Sequence, residues 1–386
     1  MRLDINKYFP LFIPLFICFQ VPVYAHELEL ANKEYFSYPG EPVAENSIRV
    51  ILMGTSYEPR PSQAACSIYV ELGNGEVFVF DFGAGSIANY NAMGIPPWKL
   101  DKVFLSHLHV DHFTDLIYLY GMGPGLGRYT PLSVWGPAAG NETLGISSAM
   151  EAMQSMTAWH RESFHAVIPV GEAYSLDVHE IEPSETSTVV YSHDGVNITA
   201  FPALHIMNGA ISYRIDWEGN SFVYSGDTSP SRFMIENAKG IDLLVHEVRS
   251  PVLGEMVSKG TLSHEQDKDR TNTVFNTFVH TDASDLGELL EQINPKMTVL
   301  NHVSVNSNIR VSLVDKIRQS YSGDIRIAED LMVFDIGPDG VRQRMGVGPE
   351  RPLWGNFPVP ENIAPAKGID KVLDDWLRNS SLLKSD

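Results

Sequence analysis

The sequence predicts a mixed α/β domain in which sheets pack together with helices outside. Three observations carry this. The chain has 386 residues, 44% of them hydrophobic and 20% charged, which is globular composition with length for one large domain or two modest ones. Runs rich in β-branched and aromatic residues recur in two halves of the chain, with helix-period segments between them. Several of these runs also end in histidine.

The first segment stands outside that domain. It has Arg2 and Lys7, an apolar run from Tyr8 to Phe19, and Val23-Tyr24-Ala25 at its end. This predicts a cleaved signal peptide over 1–25 and a periplasmic or secreted protein. Pro10 and Pro14 break the run, and it falls short of the ~20 residues a spanning helix needs. Ile17 is too large for a lipobox ahead of Cys18.

The domain is expected over 26–345. Residues 48–53 (IRVILM), 67–72 (SIYVEL) and 76–82 (EVFVFDF) read as strands, the last two separated by GNG turn chemistry. DFGAGS breaks into a helix near 86–93, and DKVFLS is a buried strand that delivers the cluster HLHVDH. Residues 143–157 have helical spacing, and their methionines read as core packing. A looser acidic section follows. VNITAFPALH is then a strand, AISYRIDWEGNSFVYSGD a hairpin, and IDLLVHEV and KMTVLNHV strands flanking the helix ASDLGELLEQIN. Beyond 345 a Pro- and Gly-rich arm, 346–386, carries a short amphipathic helix expected to dock back.

Net charge is −20, and loss of Arg2, Asp4 and Lys7 with the leader takes it to −21. A surface so acidic repels polyanions, which disfavours nucleic acid as a partner. It leaves room for a small anionic substrate, because a metal-lined pocket sets its own potential. Without Cys18 only Cys66 remains, so no internal disulfide forms and the thiol is expected to be buried.

His107, His109, Asp111 and His112 fall within six positions directly behind an apolar run. On an extended segment His107 and His109 point the same way, whereas Asp111 and His112 follow where the chain turns, so they can face a second centre. Imidazole and carboxylate are ligands that zinc favours. Further ligands should come from other strand ends: His205, Asp227, His246, His280 and His302 are the candidates. Asp227 can bridge two cations with its two oxygens. Two metals a few ångströms apart make a hydroxide nucleophile available near neutral pH.

At these residues the sequence resembles the metallo-β-lactamase superfamily, whose signature H-x-H-x-D-H stands at 107–112, and most closely its ribonuclease Z and arylsulfatase-like branch. The order histidine, SGDT, HE, HT, histidine follows that branch; His205 lies 22 positions before Asp227, and His280 lies 22 before His302. Asp81, Gly83 and Gly85 fit its glycine-rich early motif. The likeness spans roughly 48–344, and the segment RIAEDLMVFDIGPDGVRQRM is similar to exported hydrolases of the guanitoxin-biosynthesis or arylsulfatase type. The resemblance implies an αββα sandwich holding two zinc ions, with manganese or iron also compatible with the ligands. One zinc would sit on His107, His109 and His205, the second on Asp111, His112 and His302, with Asp227 between them. It assigns proton donation to His280, orientation of that acid to Glu247, and help with the nucleophile to Asp111. The branch's His-Ser-Thr reads His280-Thr281-Asp282 here. Dimers are common in the branch.

The expected reaction is hydrolysis of a small sulfate or phosphate ester. Transfer-RNA 3′ processing is the first alternative; the leader, the acidic charge and the lack of a Lys/Arg-rich, Gly/Pro arm in the stretches 113–204 and 206–226 stand against it. An iron-dependent redox enzyme of the same fold is the second, and a secreted binding protein the third. The polar segment 253–279 reads as a lid selecting the substrate. Arg249 is a weaker candidate for meeting an anion, while His160, His165, His179, His193 and His264 read as surface residues.

Overall fold

In a computed structural model the structure describes residues 33–249, 278–303, 307–348 and 359–381. The leader, His264 and all of 253–279 except its last two residues lie outside that range, as does 349–358 of the arm.

Two sheets build the frame. The first contains β1 (Phe36–Ser37), β2 (Ile48–Gly54), β3 (Ser67–Leu72), β4 (Val77–Phe80), β5 (Lys102–Phe104), β6 (Leu132–Pro137) and β7 (Leu176–Ile181). The second contains β8 (Thr188–His193), β9 (Val196–Pro202), β10 (Ile211–Trp217), β11 (Asn220–Tyr224), β12 (Leu243–Glu247), β13 (Met297–Asn301) and β14 (Ile325–Ile327). The chain then returns to the first sheet with β15 (Met332–Gly337) and β16 (Gly340–Gly346). The strand orders are β1-β16-β15-β2-β3-β4-β5-β6-β7 and β14-β13-β12-β11-β10-β9-β8. In each sheet antiparallel pairing gives way to parallel pairing, at β4–β5 in the first and β11–β12 in the second, and the edge strand β1 also pairs in parallel with β16.

Sequence explains the layering. Every residue of β2 is buried, as a strand covered on both faces requires. One of its faces, with Val50 and Leu52, meets Phe80, Phe104, Tyr213, Phe222 and Val245 between the sheets. Burial of such side chains contributes about 1.5–3 kcal/mol each. Outside the first sheet, Tyr90 of α1 (Ser86–Ala92) and Leu116 and Leu119 of α3 (Leu116–Met122) join Met150 and Met153 of α4 (Ile146–Met156). Between α1 and α3 lies a single turn, α2 (Val110–Phe113); α5 (Ala158–Val167) follows α4. Outside the second sheet lie α6 (Arg232–Ala238), α7 (Ala283–Ile293) and α8 (Ser307–Ile317). The result is the expected four-layer sandwich.

Local chemistry sets the boundaries. Asp282 caps α7 by accepting from the Ser284 amide. Leu286, Leu289, Leu290 and Ile293 form its buried stripe, and Asn294 ends it in a left-handed conformation. Glu218 (φ 48°) and Gly219 (φ 76°) make the tight turn between β10 and β11.

Several expectations need correction. The strand read over 76–82 ends at Phe80, because Asp81 turns away with φ 58° to serve the site below. The looser acidic section contains α5, β7 and β8; β7 and β8 are edge strands, so their half-polar faces gave no buried-strand signal. In α4 Met150 and Met153 are core, but Met156 is 63% exposed. The arm begins one residue late, since β16 runs to Gly346 and pairs with β1 there. The expected docking helix is only the four residues of α9 (Asp375–Arg378), with Trp376 exposed. Docking is done by the preceding segment, where the Lys367 and Gly368 amides donate to His165 and Ala166 carbonyls at the end of α5. Of the histidines read as surface, His193 is exposed, but His160 donates Nε2–H to the Gly121 carbonyl (2.8 Å) and His179 stacks on Trp135 (4.3 Å). Among the described residues no helix is long and apolar enough to cross a membrane.

Candidate metal centre

The centre forms where strands of both sheets end. β5 stops at Phe104, and the chain bends at Ser106 and passes His107 to an extended His109 before turning into α2, whose single turn carries Asp111 and His112. Close backbone approach permits that turn: a Cβ on Gly83 would lie 2.1 Å from the Asp111 carbonyl oxygen. Opposite, β11 ends at Tyr224, and Gly226 (φ 56°) brings Asp227 inward; a Cβ there would meet Ser106 Cβ at 2.6 Å. His205 comes from the loop after β9, and His302 follows β13 with φ 60°. That non-glycine conformation costs on the order of 1 kcal/mol or more and aims His302 at the centre.

Two groups of donors result. Ligand atoms of His107, His109, His205 and Asp227 all lie within 4.8 Å of one another. His107 and His205 Nε2 are 3.7 and 3.8 Å from Asp227 Oδ2, and His109 Nδ1 is 3.2 Å from His205 Nε2. On the other side His302 Nε2 is 3.2 Å from Asp111 Oδ2 and 3.3 Å from Asp227 Oδ2. His112 Nε2 is 3.4 Å from Asp111 Oδ2 and 3.5 Å from Asp227 Oδ1. Asp227 therefore stands between the groups, and the structure brings together all seven residues expected as ligands.

These donors fit a metal. His107 Nε2, His112 Nε2 and Asp227 Oδ1 are buried without a hydrogen bond, an arrangement that costs about 1–3 kcal/mol per group unless a cation uses them. The far sides of the rings are held instead. His107 Nδ1 meets Ser106 Oγ (3.0 Å), His205 Nδ1 meets the Val279 carbonyl (2.5 Å), and His112 Nδ1 meets Asp81 Oδ2 (2.7 Å). Such contacts fix the ring orientation and leave the other nitrogen for a metal. Asp81 is fully buried and also accepts from the Ser106 amide and hydroxyl and the Tyr224 hydroxyl, each at 2.7 Å.

Electrostatics divide the groups. Burial pushes His107, His109 and His205 below the usual imidazole range, which keeps them neutral and ready to ligate. Burial also works against His112, but the Asp227 and Asp81 carboxylates raise it well above. Burial likewise disfavours the Asp111 and Asp227 carboxylates, yet the surrounding histidines hold both well below the usual range.

His280 lies beside these groups, its Nδ1 3.3 Å from Glu247 Oε1 and 3.9 Å from Asp227 Oδ2. Burial lowers it, but the Glu247 carboxylate, with Asp227 behind it, carries it up to about 9. Glu247 Oε1 also accepts from the Thr228 and Thr281 amides. His246 points to the opposite face of β12, fully buried, with Nδ1 on the Glu247 carbonyl (2.6 Å), and is no part of the centre. Arg249 is bound to Asp282 (2.5 Å), so the aspartate that replaces the branch's threonine holds the cation proposed to meet an anion. Cys66 is buried, with its sulfur within 4.8 Å of ring nitrogens of His112 and His302.

Sequence reasoning missed Ser106, Tyr224 and Tyr57, whose ring lies 5.7 Å from His302. Their positions are local to strand ends and one loop, and no spacing pattern marks them. Asp81 appeared only as part of a motif; an aspartate ending an apolar strand was the available signal.

The fold and this double group of donors define a metal-dependent hydrolase. The sequence model of the beta-lactamase superfamily domain matches residues 88–303, and the chain belongs to that family. It is 32% identical over 206 residues to the ribonuclease Z of Mycobacterium avium (strain 104) and of Mycobacterium marinum (strain ATCC BAA-535 / M); each match covers 52% of this chain and 70% of the relative. Among solved structures it is similar to the metallo-beta-lactamase fold protein YhfI from Bacillus subtilis (TM-score 0.54, 18% identity, 75% of this chain and 99% of that one). It is also similar to the human tRNase Z short form (TM-score 0.52, 19% identity, 74% and 98%). Identities this low show the shared fold.

Proposed function

We propose that the protein is an exported, two-zinc hydrolase of a small anionic ester, a phosphate or sulfate ester. The observation that carries this reading is the position of Asp227, within 3.9 Å of four histidines of two donor groups and of His280. His107, His109 and His205 would hold one zinc, and Asp111, His112 and His302 the other. Bound there, the pair supplies a water nucleophile at neutral pH and neutralises charge on the ester oxygens. The protein's own groups do the rest. Asp111 Oδ2, 3.2 Å from His302 and 3.4 Å from His112, would help to hold and orient the nucleophile. His280, kept protonated by Glu247, donates a proton to the leaving oxygen. Ser106, Asp81 and the Val279 carbonyl hold the imidazoles in place.

The ribonuclease Z relatives support RNA as a second substrate class. Charge supports the small ester: the chain is −20, and the stretch from His205 to Asp227 is filled by a short loop and the β10–β11 hairpin, without a basic arm. Signal cleavage before His26 would place the enzyme outside the cytoplasm. Zinc-loaded protein assayed in parallel on an aryl phosphodiester, an aryl sulfate, an aryl carboxylic ester and a precursor transfer RNA tests this. Turnover of a phosphate or sulfate ester, lost in His109→Ala, is the expected result. Cleavage of the RNA alone overturns the small-ester reading.

A further inference from the structure

A cavity of about 690 Å³ opens beside the metal centre, in the size range of small-molecule pockets. His205 belongs to both, because its Nε2 faces the donors while its loop, 203–210, forms one wall. The link from β7 to β8 forms a second wall, and the start of α6 with Phe278 completes it. Its lining is mostly apolar, with Phe201, Leu204, Ile206, Met207, Phe233 and Phe278 among the large side chains. Among the described lining residues Arg232 is the one lysine or arginine, and its guanidinium lies over the Phe233 ring, 4.7 Å from the centroid.

The loop is built to present these side chains. Ile206 has φ 37°, an outlier for a β-branched residue, and its amide donates to the Phe278 carbonyl (2.7 Å). The conformation leaves Ile206 56% exposed, Met207 56% and Leu204 38%. A strained backbone immediately after a donor histidine, holding apolar side chains out of the core, is what a substrate subsite requires.

We infer that this cavity receives an apolar, non-reacting group of the ester, an alkyl or aryl arm, while the anionic centre sits at the donors. The inference rests on the small-ester reading and narrows it. A polynucleotide needs a positive groove along its backbone, which the described lining residues do not form.

Binding tests it independently of turnover. Methyl phosphate and octyl phosphate are titrated calorimetrically into the zinc-loaded protein, alongside Met207→Glu and Leu204→Glu. Both replaced side chains are partly exposed, and melting curves verify that each variant folds. The expected result is octyl phosphate at least about tenfold tighter than methyl phosphate, less than two fully buried methylenes contribute, with the gap collapsing in either variant. Equal affinity for the two ligands, or a gap that survives both charges, overturns the inference. So does a short oligoribonucleotide that binds tighter than octyl phosphate. An octyl preference without turnover of any small ester would instead refute the catalytic reading and leave the cavity assignment standing.

Discussion

Glu247 Oε1 lies 3.3 Å from His280 Nδ1, and both side chains are almost fully shielded from water. Glu247 receives two backbone amides on the same oxygen, from Thr228 and Thr281, so its position is fixed by β12, the Asp227 loop and the start of α7 together. As proposed above, His280 is the acid and Glu247 its anchor, and that assignment predicts a pH dependence.

His280 is raised from 6.5 to about 9, so it is protonated through neutrality and loses its proton as pH climbs through about 9. A proton donor with that value gives kcat/KM an alkaline limb near pH 9. Glu247→Gln removes the charge that raises His280 and is expected to move the limb to lower pH, toward the ordinary imidazole value. An unchanged limb in the variant rules out His280 as the group being titrated.

Asp81 predicts a second effect. Its carboxylate accepts four hydrogen bonds from Ser106, His112 and Tyr224 in a fully buried setting. Asp81→Ala strands those donors and is expected to destabilise the protein by about 2–4 kcal/mol in urea unfolding. Because His112 loses its orientation, metal affinity should fall by roughly 10- to 100-fold in competition with a chelator. A variant of native stability and affinity would show that His112 needs no such support.

Acid stability of the metal-free protein follows from Asp227 and Asp111. Both carboxyls are held below the ordinary aspartate value of 3.8 in the folded state. Stability from them is therefore complete above about pH 4 and is lost as pH falls below it. Melting temperature measured from pH 6 to pH 2 should drop in that window, and Asp227→Asn should flatten the drop. A drop that is unchanged in the variant places the acid-labile groups elsewhere.

The donor residues were legible because a metal site needs fixed residue types at strand ends, and these survive as spacing: His107 to His112, SGD around Asp227, and the two 22-residue intervals. Strands buried on both faces were legible for a similar reason, since β2, β12 and β13 are dominated by aliphatic residues, with Arg49, His246, Glu247, Thr298 and Asn301 as their polar members. What was not legible depends on contacts distant in sequence. β7 and β8 carry mixed faces because each lies at a sheet edge, and their pattern alone reads as loop. The fate of Arg249 depends on Asp282, which is 33 residues away. The cavity beside His205 is assembled from the β7–β8 link, the 203–210 loop and α6, and no stretch of sequence announces it.

The central claim is that Asp227 joins two metal sites that act together on an ester. Its most direct test is titration of metal-free protein with zinc while hydrolysis of an aryl phosphodiester or aryl sulfate is followed. Activity that rises to a plateau at two zinc ions per chain, and stays at background in Asp227→Ala, is the predicted result. A plateau at one equivalent, or full activity in the Asp227 variant, would contradict it.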